Sequence, residues 1–81
     1  MFKNNDTTQP IIIRLKEVVA RTGLSRTTIY NKLNKKSSQY EFDFPGQIQL
    51  GHSSVGWLDV EIDDWINNKI KQRDHLKRQV N

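Results

Sequence analysis

The chain contains no cysteine. No disulfide can brace it and no thiolate can hold a metal, so a zinc finger is excluded and a reducing compartment is the natural setting. Met1 to Pro10 is polar and lacks the apolar segment of a secretory signal or a membrane span. A soluble cytoplasmic protein with no membrane partner is the expectation. Catalytic groups are scarce as well. His52 and His75 are isolated, Ser53-Ser54 has no evident base beside it, and Asp63 and Asp64 are neighbours that a helix would point about 100° apart. Neither catalysis nor a cofactor, metal or small-molecule ligand is expected. No aromatic strand motif of the RRM type is present, which argues against RNA. With 81 residues, 35% of them hydrophobic, there is material for one domain near the lower size limit of a single core.

What is present is charge of one sign, in blocks. The net charge is +4, but Arg14 to Lys36 carries +6, Ser37 to Asp64 carries −6 without a single Lys or Arg, and Trp65 to Asn81 carries +4. A basic block of that density suits a polyanion, whereas an ordinary solvated surface is the plainer explanation.

The pattern along the chain predicts short elements. Residues 1–12 read as a flexible arm, with Ile11, Ile12 and Ile13 able either to pair as a strand or to pack beside the first helix. Leu15, Val18, Val19 and Thr22 fall on one helical face, and Gly23 ends that helix. Ser25 is placed as the N-cap of a second helix reaching Asn34 or Lys36. Tyr40, Phe42 and Phe44 alternate with Glu41 and Asp43, a strand-like stretch with one aromatic side. Pro45-Gly46 marks a turn, and Gln47 to Leu50 with Val55 to Trp57 forms a β-hairpin around Gly51 to Ser54. Asp59 is read as the N-cap of a third helix whose inward side is Leu58, Ile62, Trp65, Ile66 and Ile70. Asp59, Glu61, Asp63 and Asp64 oppose the helix dipole there; no calcium-loop spacing is present. Residues 71–81 form a basic tail or prolong this helix. Both Trp57 and Trp65 are assigned to the core. The sum is a mostly α domain over residues 13–70 with a small β-hairpin, a winged helix-turn-helix.

The second helix carries the chemistry. Ile29 and Leu33 mark its apolar side, whereas Arg26, Thr27, Tyr30, Asn31 and Asn34 lie on the other. A glycine turn feeding a capped helix of this kind is the sequence form of helix-turn-helix DNA binding. Arg26 suits guanine O6 and N7, and Asn31 suits adenine N6 and N7. Thr27 and Thr28 suit a thymine methyl or a phosphate, and Ser25 and Asn34 flank them. Thr28 lies toward the back of the helix and reads better as a first-turn surface residue. Tyr30 is divided between a phosphate contact and packing on the hairpin. Lys32, Lys35, Lys36, Arg21 and Lys16 are candidate phosphate attractors, and His52 and Ser53 stand at the wing tip.

Leu24-Ser25-Arg26-Thr27-Thr28-Ile29-Tyr30, Phe44-Pro45, Leu50-Gly51, Val55-Gly56-Trp57-Leu58 and Asp63-Asp64-Trp65-Ile66 together resemble the AlpA family of prophage regulators. That family is similar to excisionases and to the DNA-binding domain of MerR-type regulators. The resemblance covers about Arg14 to Lys69. It implies a protein that binds double-stranded DNA and regulates prophage or genomic-island genes such as an integrase. The alternative it leaves is an excisionase, a recombination directionality factor. A protein-interaction adaptor is the rival from another class. Contact with an integrase, or pairing of a solution monomer on DNA, would fit such a role. Three departures stand out: Asn31 where the family usually has Arg, a wing from Pro45 to Trp57 without Lys or Arg, and a longer connection over Lys35 to Phe42.

Overall fold

A computed structural model describes residues 9–80. Strand β1 (Ile12–Ile13) leads into helix α1 (Leu15–Thr22), then α2 (Arg26–Leu33), strands β2 (Ile48–Gln49) and β3 (Val55–Leu58), and helix α3 (Asp59–Val80). The three strands form one antiparallel sheet in the order β1-β3-β2, with Ile12 opposite Leu58, Ile13 opposite Trp57, and Ile48 opposite Gly56. The helix-turn-helix rests on this sheet and on α3, and β2–β3 is the wing.

The core is small: Ile13, Val18, Ile29, Phe44, Trp57 and Ile62 are buried, with Leu15, Val19, Leu24, Leu33, Val55, Trp65 and Ile66 packed around them. Each helix contributes what its periodicity allows. Val18 is fully covered from α1, Ile29 from α2 and Ile62 from α3, so each of the three helices puts one apolar residue into the same core as Trp57. The Trp57 Nε1 finds no acceptor among the described residues. That costs about 1–3 kcal/mol, against which the apolar bulk of the ring fills the centre.

The turn between α1 and α2 depends on local chemistry. Gly23 adopts φ +75° and its N–H donates to the Val19 carbonyl at 2.9 Å, a left-handed helix end that a side chain would strain. Thr22 Oγ1 donates to the Val18 carbonyl at 2.7 Å and accepts from the Leu24 N–H at 3.2 Å. One hydroxyl thereby ties both sides of the bend.

Several expectations are corrected here. Ile11 and Ile12 are not part of a free arm: Ile12 pairs in the sheet, and the Ile11 carbonyl accepts from Asp59 N–H at 2.8 Å. The rest of the arm, residues 1–8, lies outside the described residues. Residues 40–44 make turns instead of a strand, and Phe44 is buried while Phe42 is 84% exposed. Helix α2 stops at Leu33. Asp59 lies within the first turn of α3, and its carboxylate turns to Arg21 instead of capping. Ile70 is exposed, not part of the inward side of α3. The basic segment after residue 70 is helical through Val80.

Candidate nucleic-acid interface

Ser25 builds the start of α2. In extended conformation its Oγ accepts from the Thr28 N–H at 3.1 Å and donates to Thr28 Oγ1 at 2.9 Å. The hydroxyl is thus committed to the cap, and Thr28 is half-buried beside it. From there, the 100° step per residue turns Ile29 and Leu33 inward and leaves Arg26, Thr27, Tyr30 and Asn34 exposed. Tyr30 is 47% exposed, so it does not pack under the hairpin. Arg26, Lys35 and Lys36 have no ion-pair partner among the described residues. Helix α2 also has no acidic residue in its first turn, so nothing there offsets the positive helix N-terminus.

Asn31 is half-buried, and its Nδ2 donates to Gln39 Oε1 at 3.1 Å. Asn34 ends the helix: its N–H reaches the Asn31 carbonyl at 3.2 Å, and its Oδ1 accepts from the Lys36 N–H at 3.0 Å. That turn projects Lys35 and Lys36 from the end of α2. Lys16 is exposed on α1. His52 and Ser53 stand exposed at the wing tip, which Leu50 N–H closes on the Ser54 carbonyl at 2.7 Å and Gln49 Nε2 braces on the Gly51 carbonyl at 2.7 Å.

Two predicted phosphate attractors are placed elsewhere. Arg21 forms ion pairs with Asp59 and Asp63, clamping the end of α1 to the start of α3, with only 22% of its side chain exposed. The hydrogen bond it donates to Asp59, against some desolvation, holds its guanidinium above the usual arginine value. Lys32 points to Glu41, its Nζ 2.9 Å from Oε1. Both charges are neutralised within the fold because an acidic partner from the 37–64 block packs on each.

Glu41 is the residue that pattern reading missed. Its Oε2 accepts from Trp65 Nε1 at 2.7 Å and lies 2.9 Å from Lys69 Nζ, while its own N–H donates to the Lys32 carbonyl at 3.0 Å. Trp65 in turn meets Phe44 edge-on, with centroids 5.0 Å apart, and carries the Lys32 and Lys69 ammonium groups over its ring. Burial pushes the Glu41 carboxyl up, but hydrogen bonds from Lys32, Lys69 and Trp65 overcome this and bring it from 4.5 down to about 2. The hub anchors the end of α2 and its loop to α3. Its members are far apart in sequence and follow no spacing rule, so the alternation of Tyr40 to Phe44 gave no sign of it. Arg14, also unassigned from sequence, donates from Nε to the Val55 carbonyl at 2.9 Å and holds the wing strand to the start of α1.

Among the described residues no helix is long and apolar enough to cross a membrane, and no group of three or more His, Asp or Glu is placed to hold a metal. What remains is a rigidly mounted helix with an uncovered polar face, cations at its end and a closed hairpin.

Comparison with known proteins agrees with this architecture. The family model described as Prophage CP4-57 regulatory protein (AlpA) matches residues 11–70. The chain is 47% identical over 60 residues to a protein of Escherichia coli (strain K12) named DNA-binding transcriptional activator AlpA, covering 74% of this chain and 86% of that one. It is 38% identical over 68 residues to the uncharacterized protein ORF88 of Enterobacteria phage P4, covering 84% of this chain and 70% of that one. No solved structure gives a significant match. With its helix-turn-helix, its wing and a match across residues 11–70, the chain belongs to the AlpA family of prophage regulatory proteins.

Proposed function

We propose that this protein is a sequence-specific double-stranded DNA-binding transcriptional regulator of prophage or genomic-island genes, acting in the cytoplasm without catalysis. The observation that carries the reading is the exposed polar face of α2, held outward by the fully buried Ile29 behind it. In this reading α2 enters the major groove. Arg26 donates two hydrogen bonds to guanine, Asn31 reads adenine, and Thr27 meets a thymine methyl or a phosphate. Tyr30, Asn34, Lys35, Lys36 and Lys16 hold the backbone, and the backbone N–H groups at the Ser25 cap add to them. His52 and Ser53 approach the adjacent phosphates from the wing. Arg21 and Lys32 are left out of the interface, since their charges are already paired. One module offers a small footprint, so two chains on neighbouring sites are the natural binding unit.

A gel-shift titration on arbitrary duplex at low and moderate salt tests the reading. Binding at low salt that weakens steeply as salt rises is expected. An adaptor that docks only proteins would leave the duplex unshifted even at low salt, and that result would remove DNA from the account.

A further inference from the structure

We infer that Gln39, outside the recognition helix, is a positioning residue that sets the base preference of Asn31. The inference rests on the DNA-reading role proposed above for that asparagine. Residues 34–41 leave α2 and return beside it through a chain of hydrogen bonds: Ser37 N–H to the Asn34 carbonyl at 2.9 Å, Gln39 N–H to Ser37 Oγ at 3.0 Å, and Tyr40 N–H to the Ser37 carbonyl at 3.1 Å. The far end is fastened where Glu41 N–H meets the Lys32 carbonyl and its carboxylate meets Lys32, Lys69 and Trp65. A loop secured at both ends holds Gln39 Oε1 3.1 Å from Asn31 Nδ2.

The chemistry of the amide makes this contact consequential. Recognition of adenine needs one Nδ2 proton on N7 and Oδ1 accepting from N6. An asparagine amide carries two protons on Nδ2, so one stays available for the base while the other is held by Gln39. An unheld amide can rotate by half a turn and exchange its donor and acceptor. With its Oε1 facing Asn31, Gln39 accepts the Nδ2 proton and holds the orientation with nitrogen toward the loop and oxygen away from it.

The test uses the full chain and selection of bound sequences from a random duplex library, with wild type, Asn31→Ala, Gln39→Ala, Gln39→Glu and the double Asn31→Ala/Gln39→Ala variant. Wild type is expected to enrich a motif with an adenine position that Asn31→Ala loses. Gln39→Ala should weaken preference at that same position by about tenfold, leaving other positions, the melting midpoint and low-salt affinity for arbitrary duplex unchanged. Gln39→Glu keeps the acceptor, so it should restore the adenine preference while binding every duplex more weakly through its added negative charge. The double variant should match Asn31→Ala. A Gln39→Ala motif equal to wild type overturns the inference, as does an effect of Gln39→Ala that persists without Asn31. A wild-type motif indifferent to Asn31→Ala also overturns it but leaves DNA reading intact, whereas a wild type that enriches no motif defeats both.

Discussion

Gly56 shows how little room single residues have in so small a protein. It lies on the central strand between Ile12 and Leu50, and an added Cβ would press on Ile12 Cγ2 and sit 2.9 Å from the Ile13 carbonyl oxygen and 3.1 Å from Leu50 Cδ1. The Leu50 side chain can move, but the Ile13 carbonyl belongs to a paired strand. Gly56→Ala is therefore expected to lower stability by about 1–3 kcal/mol, read as a drop in the thermal or urea midpoint. Gly23 is constrained by conformation instead of space: nothing stands within 4 Å of its would-be Cβ, yet its φ is +75°. For Arg26 the scale of the effect is the base pair. Arg26→Ala should lose about 1–3 kcal/mol of discrimination at one position of the preferred sequence, measured by competition between matched and altered duplexes. Retention of both affinity and preference would remove Arg26 from base reading.

At the level of elements, the connection after α2 is what makes α2 more than a marginal helix. Eight residues cannot stay helical alone in water. The Ser25 cap secures the first turn, Ile29 the middle, and the Glu41 hub the end. The hub gives a pH signature. Glu41 has its carboxyl lowered to about 2, so its contribution is present above its ordinary value near 4.5 and is lost as pH falls from there through about 2. Glu41→Gln should accordingly be less stable than wild type at neutral pH, and its stability should fall less between pH 5 and pH 2, as followed by urea unfolding across that range. Equal acid sensitivity in the two proteins would contradict the hub. Arg21 joins α1 to α3 in the same manner. Arg21→Ala should lower stability by about 1–3 kcal/mol, read as a lower melting midpoint, and leave the salt dependence of DNA binding unchanged.

The whole molecule sorts its charges. The acidic 37–64 block is turned partly inward, Asp59 and Asp63 onto Arg21 and Glu41 onto Lys32 and Lys69. Among the described residues, Arg26 at the start of α2 and Lys35 and Lys36 past its end have no ion-pair partner. This sorting decides which lysines contribute to long-range attraction. Replacing Lys35 and Lys36 with alanine should weaken binding similarly on preferred and arbitrary duplexes, and reduce the slope of log affinity against log salt by about 2. Selective loss on the preferred site alone would place these lysines on bases.

Much of this was legible in the chain itself. The α1 stripe, Gly23 as the bend, Ser25 as the cap, the hairpin and the inward Trp57 all follow from local rules, because caps, turns and periodicities act over a few residues. The polar face of α2 followed for the same reason, once Ile29 and Leu33 marked its back. Tertiary structure alone decided which charges stay free. Arg21 and Arg26 look alike in the sequence, yet one meets Asp59 and Asp63 across 38 and 42 residues and the other has no ion-pair partner among the described residues. It also decided that Ile12 pairs with Leu58 and that Gln39 comes back to Asn31. Those outcomes depend on where distant segments arrive, and the pull of one charge or strand on another is set by distance in space, which residue order does not encode locally.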